Sequence, residues 1–135
     1  MQQQGIHMLA IIFAMMGGVS ACASNDTVDQ AVFEPEYLGV DTLVLGDDLV
    51  SLFVTMRGAR NRADVAAYAD CAAAGYAMDH DYGFARHVRT TIDDKNGVWS
   101  GDTVYTISAA LPQGLKTIDA EVTLSDCIEN GIPRV

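Results

Sequence analysis

The first 21 residues contain no Asp, Glu, Lys or Arg, so all 8 basic and 18 acidic side chains of the 135-residue chain fall beyond them. The whole net charge of −10 therefore belongs to the residues from Cys22 onward, which sets the leader apart from the part of the chain that can carry a charged, solvated surface. The run is Met8 to Met16. Its length matches the apolar centre of a secretory leader and falls short of the roughly 20 residues that cross a bilayer as a helix. Met1 to His7 holds no Lys or Arg, in contrast to the positive start usual in such leaders.

After the run come Gly17-Gly18 and then Val19-Ser20-Ala21-Cys22. Small residues followed by cysteine resemble the lipobox that closes a bacterial lipoprotein signal peptide. The resemblance implies a signal peptide over residues 1–21, diacylglycerol on the Cys22 thiol and cleavage that makes Cys22 the new N-terminus. It also implies a place in the cell envelope. Ala23 and Ser24 lack the Asp that retains some lipoproteins in the inner membrane, so the periplasmic face of the outer membrane is the expected address.

The net charge of −10 suits an exported acidic domain and argues against nucleic acid as a partner, since such a surface repels phosphate backbones. Anionic head groups are repelled as well, which leaves the lipid on Cys22 as the membrane contact. Each buried methylene contributes about 0.8 kcal/mol, and several acyl chains hold where one does so only marginally.

Once the resemblance assigns Cys22 to lipid, Cys71 and Cys127 remain as a pair in an oxidising compartment, and a disulfide is expected. It closes a loop of about 57 residues, for which chain entropy gives roughly 4 kcal/mol. Two buried thiols or a redox-active pair are the competing readings. The spacing is far from Cys-x-x-Cys, and no basic neighbour in sequence lowers either thiol's pKa.

Residues 22–36 read as the lipidated cysteine and an acidic tether, at most about 45 Å long over the stretch from Ala23, with Val32 and Phe33 able to dock on the domain. Residues 37–135 read as one α+β domain. Tyr37 to Leu45 and Leu49 to Met56 form a hairpin around Gly46-Asp47-Asp48, the second strand lying inside the sheet because both of its faces are partly apolar. Asn61 caps a helix with Asp64 in its first turn, and Val65, Tyr68, Ala69, Ala72 and Tyr76 make its apolar stripe. Phe84 to Asp93 and Thr103 to Ala110 are strands flanking an Asn96-Gly97 turn. Ile118 to Leu124 alternates apolar and polar residues and reads as a last, half-buried strand, with Cys127 just after it. The expected order is β-β-α-β-β-β, an antiparallel sheet of about five strands with one helix on one face.

The densest polar cluster is Asp79-His80-Asp81, with His87 seven residues beyond His80. Imidazole and carboxylate could together hold zinc, but no spacing fixes two ligands on one face, and helix-to-strand turns favour Asp and His for backbone reasons, so no metal is assigned. Arg86 and Arg89, with Arg57, Arg60 and Arg62, hold five of the eight basic side chains and could form an anion-binding patch or simply pair with Asp64, Asp70 or Asp93. Trp99, beside the turn and near Tyr105, could be a recognition tip, although an inward position capping the sheet is favoured. Ser51, Ser100, Ser108 and Ser125 sit in no nucleophile setting, and no glycine loop cradles phosphate. No cofactor is implied. The Ala-rich helix with Gly75-Tyr76, followed by Gly83-Phe84, resembles small uncharacterised lipoproteins of alphaproteobacteria over about half of the mature chain, which implies a similar layout and no known activity. The expectation is a lipid-anchored, non-catalytic binding or assembly module with an envelope protein as partner; the alternative is a periplasmic metal- or solute-binding lipoprotein.

Overall fold

A computed structural model describes residues 32–135. The signal peptide expected over 1–21, the lipidation site at Cys22 and the tether as far as residue 31 lie outside the described residues.

Strands β1 (Glu36–Val44) and β2 (Leu49–Arg57) form the expected hairpin, in register from Val44 opposite Val50 to Glu36 opposite Arg57. A bulge interrupts the pairing between Tyr37 and Gly39, where Gly39 has a φ of 133° that suits a residue without Cβ. Helix α1 (Arg62–Asp79) follows, and the Asn61 side chain accepts from the Ala63 N–H at its start, as a cap should. Strands β3 (Phe84–Lys95) and β4 (Val98–Ser108) are joined by Asn96 and Gly97, both at positive φ, the backbone that a tight two-residue hairpin turn demands.

The chain departs from expectation after that. Strand β5 is only Thr117–Asp119, and Ala120–Glu129 is a second helix, α2, so the order is β-β-α-β-β-β-α. Alternation in Ile118 to Leu124 reads as strand period, but Asp119 accepts from the Val122 N–H and caps a helix there. Ala120, Leu124 and Cys127 then fall on one side at helical spacing, while Val122 stays 58% exposed. A burial pattern of period 3.6 wins because it brings Cys127 to α1.

The antiparallel sheet runs β1-β2-β4-β3-β5, with β2 inside as expected. Val50, Leu52, Val54 and Met56 of β2 point toward α1 with Tyr105 and Ile107 of β4, and against them lie Val65, Tyr68, Ala69, Ala72 and Ala73. The helix sits close because its buried face is mostly Ala. At Gly101 the approach leaves no room for a side chain, since a Cβ there would meet Val65 Cγ1 at 3.0 Å and Val54 Cγ2 at 3.1 Å. Cys71 and Cys127 are bonded, with Cα atoms 6.0 Å apart, and join α1 to α2. The other sheet face has no helix over it among the described residues and exposes Leu43, Phe53 and Val88. Before β1, Phe33 lies under the Arg60 guanidinium, 3.8 Å from its ring centre. No helix among the described residues is long and apolar enough to cross a membrane.

Candidate functional cleft

Alternation along β4 turns Tyr105 toward α1, together with Thr103 and Ile107. Opposite it stands Asp70, the single charged residue of the helix between Val65 and Met78. The Tyr105 hydroxyl donates to Asp70 Oδ1 across 2.6 Å. Burial raises the Asp70 carboxyl above its usual range, and the Tyr105 hydroxyl and the nearby His87 ring pull against that rise. Burial and the adjacent Asp70 charge in turn push the Tyr105 phenol up, so it stays protonated and a donor.

β3 contributes through an irregularity. The register slips between His87 and Arg89, so that His87 faces Tyr105 and, three residues on, Thr90 faces Thr103. In a regular strand, residues three apart point to opposite faces; the bulge puts both on the helix side. His87 Nε2 then lies 2.6 Å from Thr90 Oγ1, and its ring meets Tyr105 edge-on with centres 5.5 Å apart.

The segment entering β5 completes the walls. Lys116 has φ 61°, a left-handed backbone that costs a residue with a Cβ about 1–2 kcal/mol. Its carbonyl accepts the His87 N–H at 3.1 Å, which holds the turn against the β3 bulge. Ala66, Asp70, His87, Thr90, Tyr105, Lys116, Thr117 and Ile118 line an open cleft of about 380 Å³. Among the described residues, Lys116 has no ion-pair partner, and Asp70 has none either.

The histidines singled out in the sequence are not brought together. His87 lines this cleft, whereas His80 lines another hollow with Tyr76, Asp79 and Val135. His80 stacks on Tyr76 at 4.0 Å, its Nδ1 lies 2.8 Å from the Tyr76 carbonyl oxygen, and Asp79 is bound by Arg134. Asp81 occupies the turn at φ 62°. Among the described residues, no three of His, Cys, Asp or Glu converge as a metal site would require.

The arginines divide in the same way. Arg57 pairs with Glu36, Arg60 with Asp64, and Arg89 with Asp102. Arg86 lies against Gly114, where an added Cβ would come within 3.2 Å of its Nε. Trp99 packs half-buried against the core opposite Met56. Sequence reasoning missed Asp70, Thr90, Lys116 and Thr117 as site residues and noted Tyr105 only as a neighbour of Trp99. One signal was present: a lone acid in the middle of an Ala-rich helix whose other neighbours are apolar.

The family model described as the YNQ4 C-terminal domain matches residues 37–131. A curated protein of Paracoccus denitrificans, titled "Uncharacterized 26.9 kDa protein in nqo8 5'region", is 37% identical over 87 residues, which cover 64% of this chain and 34% of that protein. The chain thus spans about a third of the length of the curated relative it matches. No solved structure matches.

Proposed function

We propose, for a chain that belongs to the YNQ4 C-terminal domain family, a non-catalytic binding role in which a lipid-anchored domain receives a small polar solute in the Asp70 cleft. The observation that carries this reading is the convergence, from α1, β3, β4 and the turn before β5, of Asp70, His87, Tyr105 and Lys116 on one open cleft. Clefts of a few hundred Å³ with a handful of convergent polar groups are the usual form of small-molecule sites. The anchor, at the periplasmic face of the outer membrane, rests on the lipobox-like Val19-Ser20-Ala21-Cys22.

Binding rather than catalysis is favoured by the pairing. The Asp70 carboxylate accepts from a hydroxyl that stays protonated, so it is held as a fixed acceptor and charge rather than as a free base. Assembly with an envelope protein is the second reading, and the uncovered sheet face with Leu43, Phe53 and Val88 favours it.

One experiment separates the two. The full chain is incubated with a small-molecule extract of the envelope and washed, and the retained compounds are identified by mass spectrometry. Retention of a compound, chemically unchanged, by the parent and by Phe53→Asp but not by Asp70→Ala supports the cleft. If nothing is retained, and crosslinks to another protein arise from the Phe53 face, assembly replaces it.

A further inference from the structure

The two charged groups of the cleft determine the class of solute, and this step rests on the binding role just proposed. We propose that the cleft takes a small zwitterion of amino-acid size, its ammonium received by Asp70 and its carboxylate by Lys116. Both groups line the same cleft from different segments of the chain. Asp70 comes from the middle of α1 and sits half-buried against Tyr105, whereas Lys116 rises from the exposed turn before β5, and neither forms an ion pair among the described residues. A ligand carrying one charge alone would leave an opposing charge unanswered: a bare anion would meet Asp70, and a bare cation would meet Lys116. A molecule bearing both answers both.

The fold maintains each charge where a cheaper residue would serve it better. A carboxylate is disfavoured by burial at position 70, and an asparagine could accept from Tyr105 equally well. A glycine would adopt the left-handed backbone at position 116 without strain, yet a lysine stands there, fixed through its carbonyl by the His87 N–H. A charge held at a position where a neutral or smaller residue would meet the local need points to a partner that answers the charge.

The remaining lining supplies direction. Thr90 and His87 offer hydroxyl and ring nitrogen on the β3 side, and Thr117 Oγ1 is buried with no hydrogen-bond partner among the described residues, so that a ligand oxygen or N–H has hydrogen-bonding groups to meet. Ala66 and Ile118 give a small apolar floor. The flexible four-carbon stem of Lys116 lets its ammonium follow carboxylates at different distances from the ligand ammonium.

The test is a titration of the ¹⁵N-labelled full chain with L-alanine, L-glutamate and L-lysine, each free, N-acetylated and as its carboxamide. Free amino acids are expected to shift the amides of Asp70, His87, Thr90 and Thr117, and either blocked form to bind at least about tenfold more weakly. Asp70→Asn is expected to lose the preference for the free over the N-acetylated form only. Lys116→Met, an exposed change that leaves the core alone, is expected to lose the preference for the free form over the carboxamide only. Equal binding of free and blocked forms, or no shift with any amino acid at about 10 mM, well above the range of a specific site, overturns the zwitterion. If an N-acetylated or uncharged solute binds and is lost in Asp70→Ala, the zwitterion fails while the cleft stands.

Discussion

The Tyr105 hydroxyl donates to Asp70 Oδ1 at 2.6 Å, and this one bond ties the middle of α1 to the centre of β4 in the wall of the cleft. Since burial raises the Asp70 carboxyl above the ordinary value of 3.8, the native state holds its proton more tightly than the unfolded chain does. Stability from this group is therefore greatest below 3.8 and falls as pH rises through the raised native value. Asp70→Asn keeps an acceptor for Tyr105 and removes the ionisation. Its stability is expected to match or exceed the parent's by up to about 1 kcal/mol at pH 7, with a flatter profile between pH 3 and 7 in urea titrations. Tyr105→Phe, which strands the carboxylate, is expected to cost about 1–3 kcal/mol at pH 7.

The Cys71 to Cys127 bond spans a sequence separation of 56. Replacing both cysteines by serine is expected to cost about 2–5 kcal/mol, in line with the chain-entropy figure of roughly 4. Thermal melts with and without reductant provide the check: the parent drops on reduction and the variant does not respond.

Gly101→Ala inserts a methyl against Val65 and Val54, both fully buried. Overpacking of this kind costs about 1–3 kcal/mol, and chemical denaturation of the variant should show it. Gly97→Ala is the control for lost backbone freedom, because the space around Gly97 is open and only its φ of 80° resists the change.

For the histidines, a chelator is expected to leave the melting temperature unchanged, since His80 and His87 line different hollows. His80→Ala should cost under about 0.5 kcal/mol, as exposed changes do. His87→Ala should cost about 1 kcal/mol more through its bond to Thr90. A chelator-sensitive melt that His80→Ala and His87→Ala together abolish would contradict this.

Cys22→Ser is expected to leave the chain unlipidated, uncleaved or released in soluble form. Metabolic labelling with a fatty-acid probe tests it, and equal labelling of parent and variant would count against the lipobox reading.

Local signals were legible where one residue type has one use. Asn96-Gly97, Asn61 and the hairpin around Asp47 each name a backbone shape, and all three shapes are present. Ile118 to Leu124 misled because its alternation fits a strand over seven residues, and only Asp119 and the distant need to bring Cys127 to α1 favour helix. The cleft was less legible still. Asp70 and Tyr105 are 35 positions apart, and their meeting depends on how α1 lies across β4. His87 and Thr90 share a face only because of a bulge that nothing in the local composition announces.

The bond between α1 and α2 also dates the stages of folding. Cys71 belongs to the third element and Cys127 to the seventh, so the first thiol must wait, reduced and exposed to wrong partners, until every strand has been laid down. The seal can therefore close only once the last element is available. A chain threaded across a membrane from its N-terminus would reach that seal last, after the whole sheet had emerged on the far side.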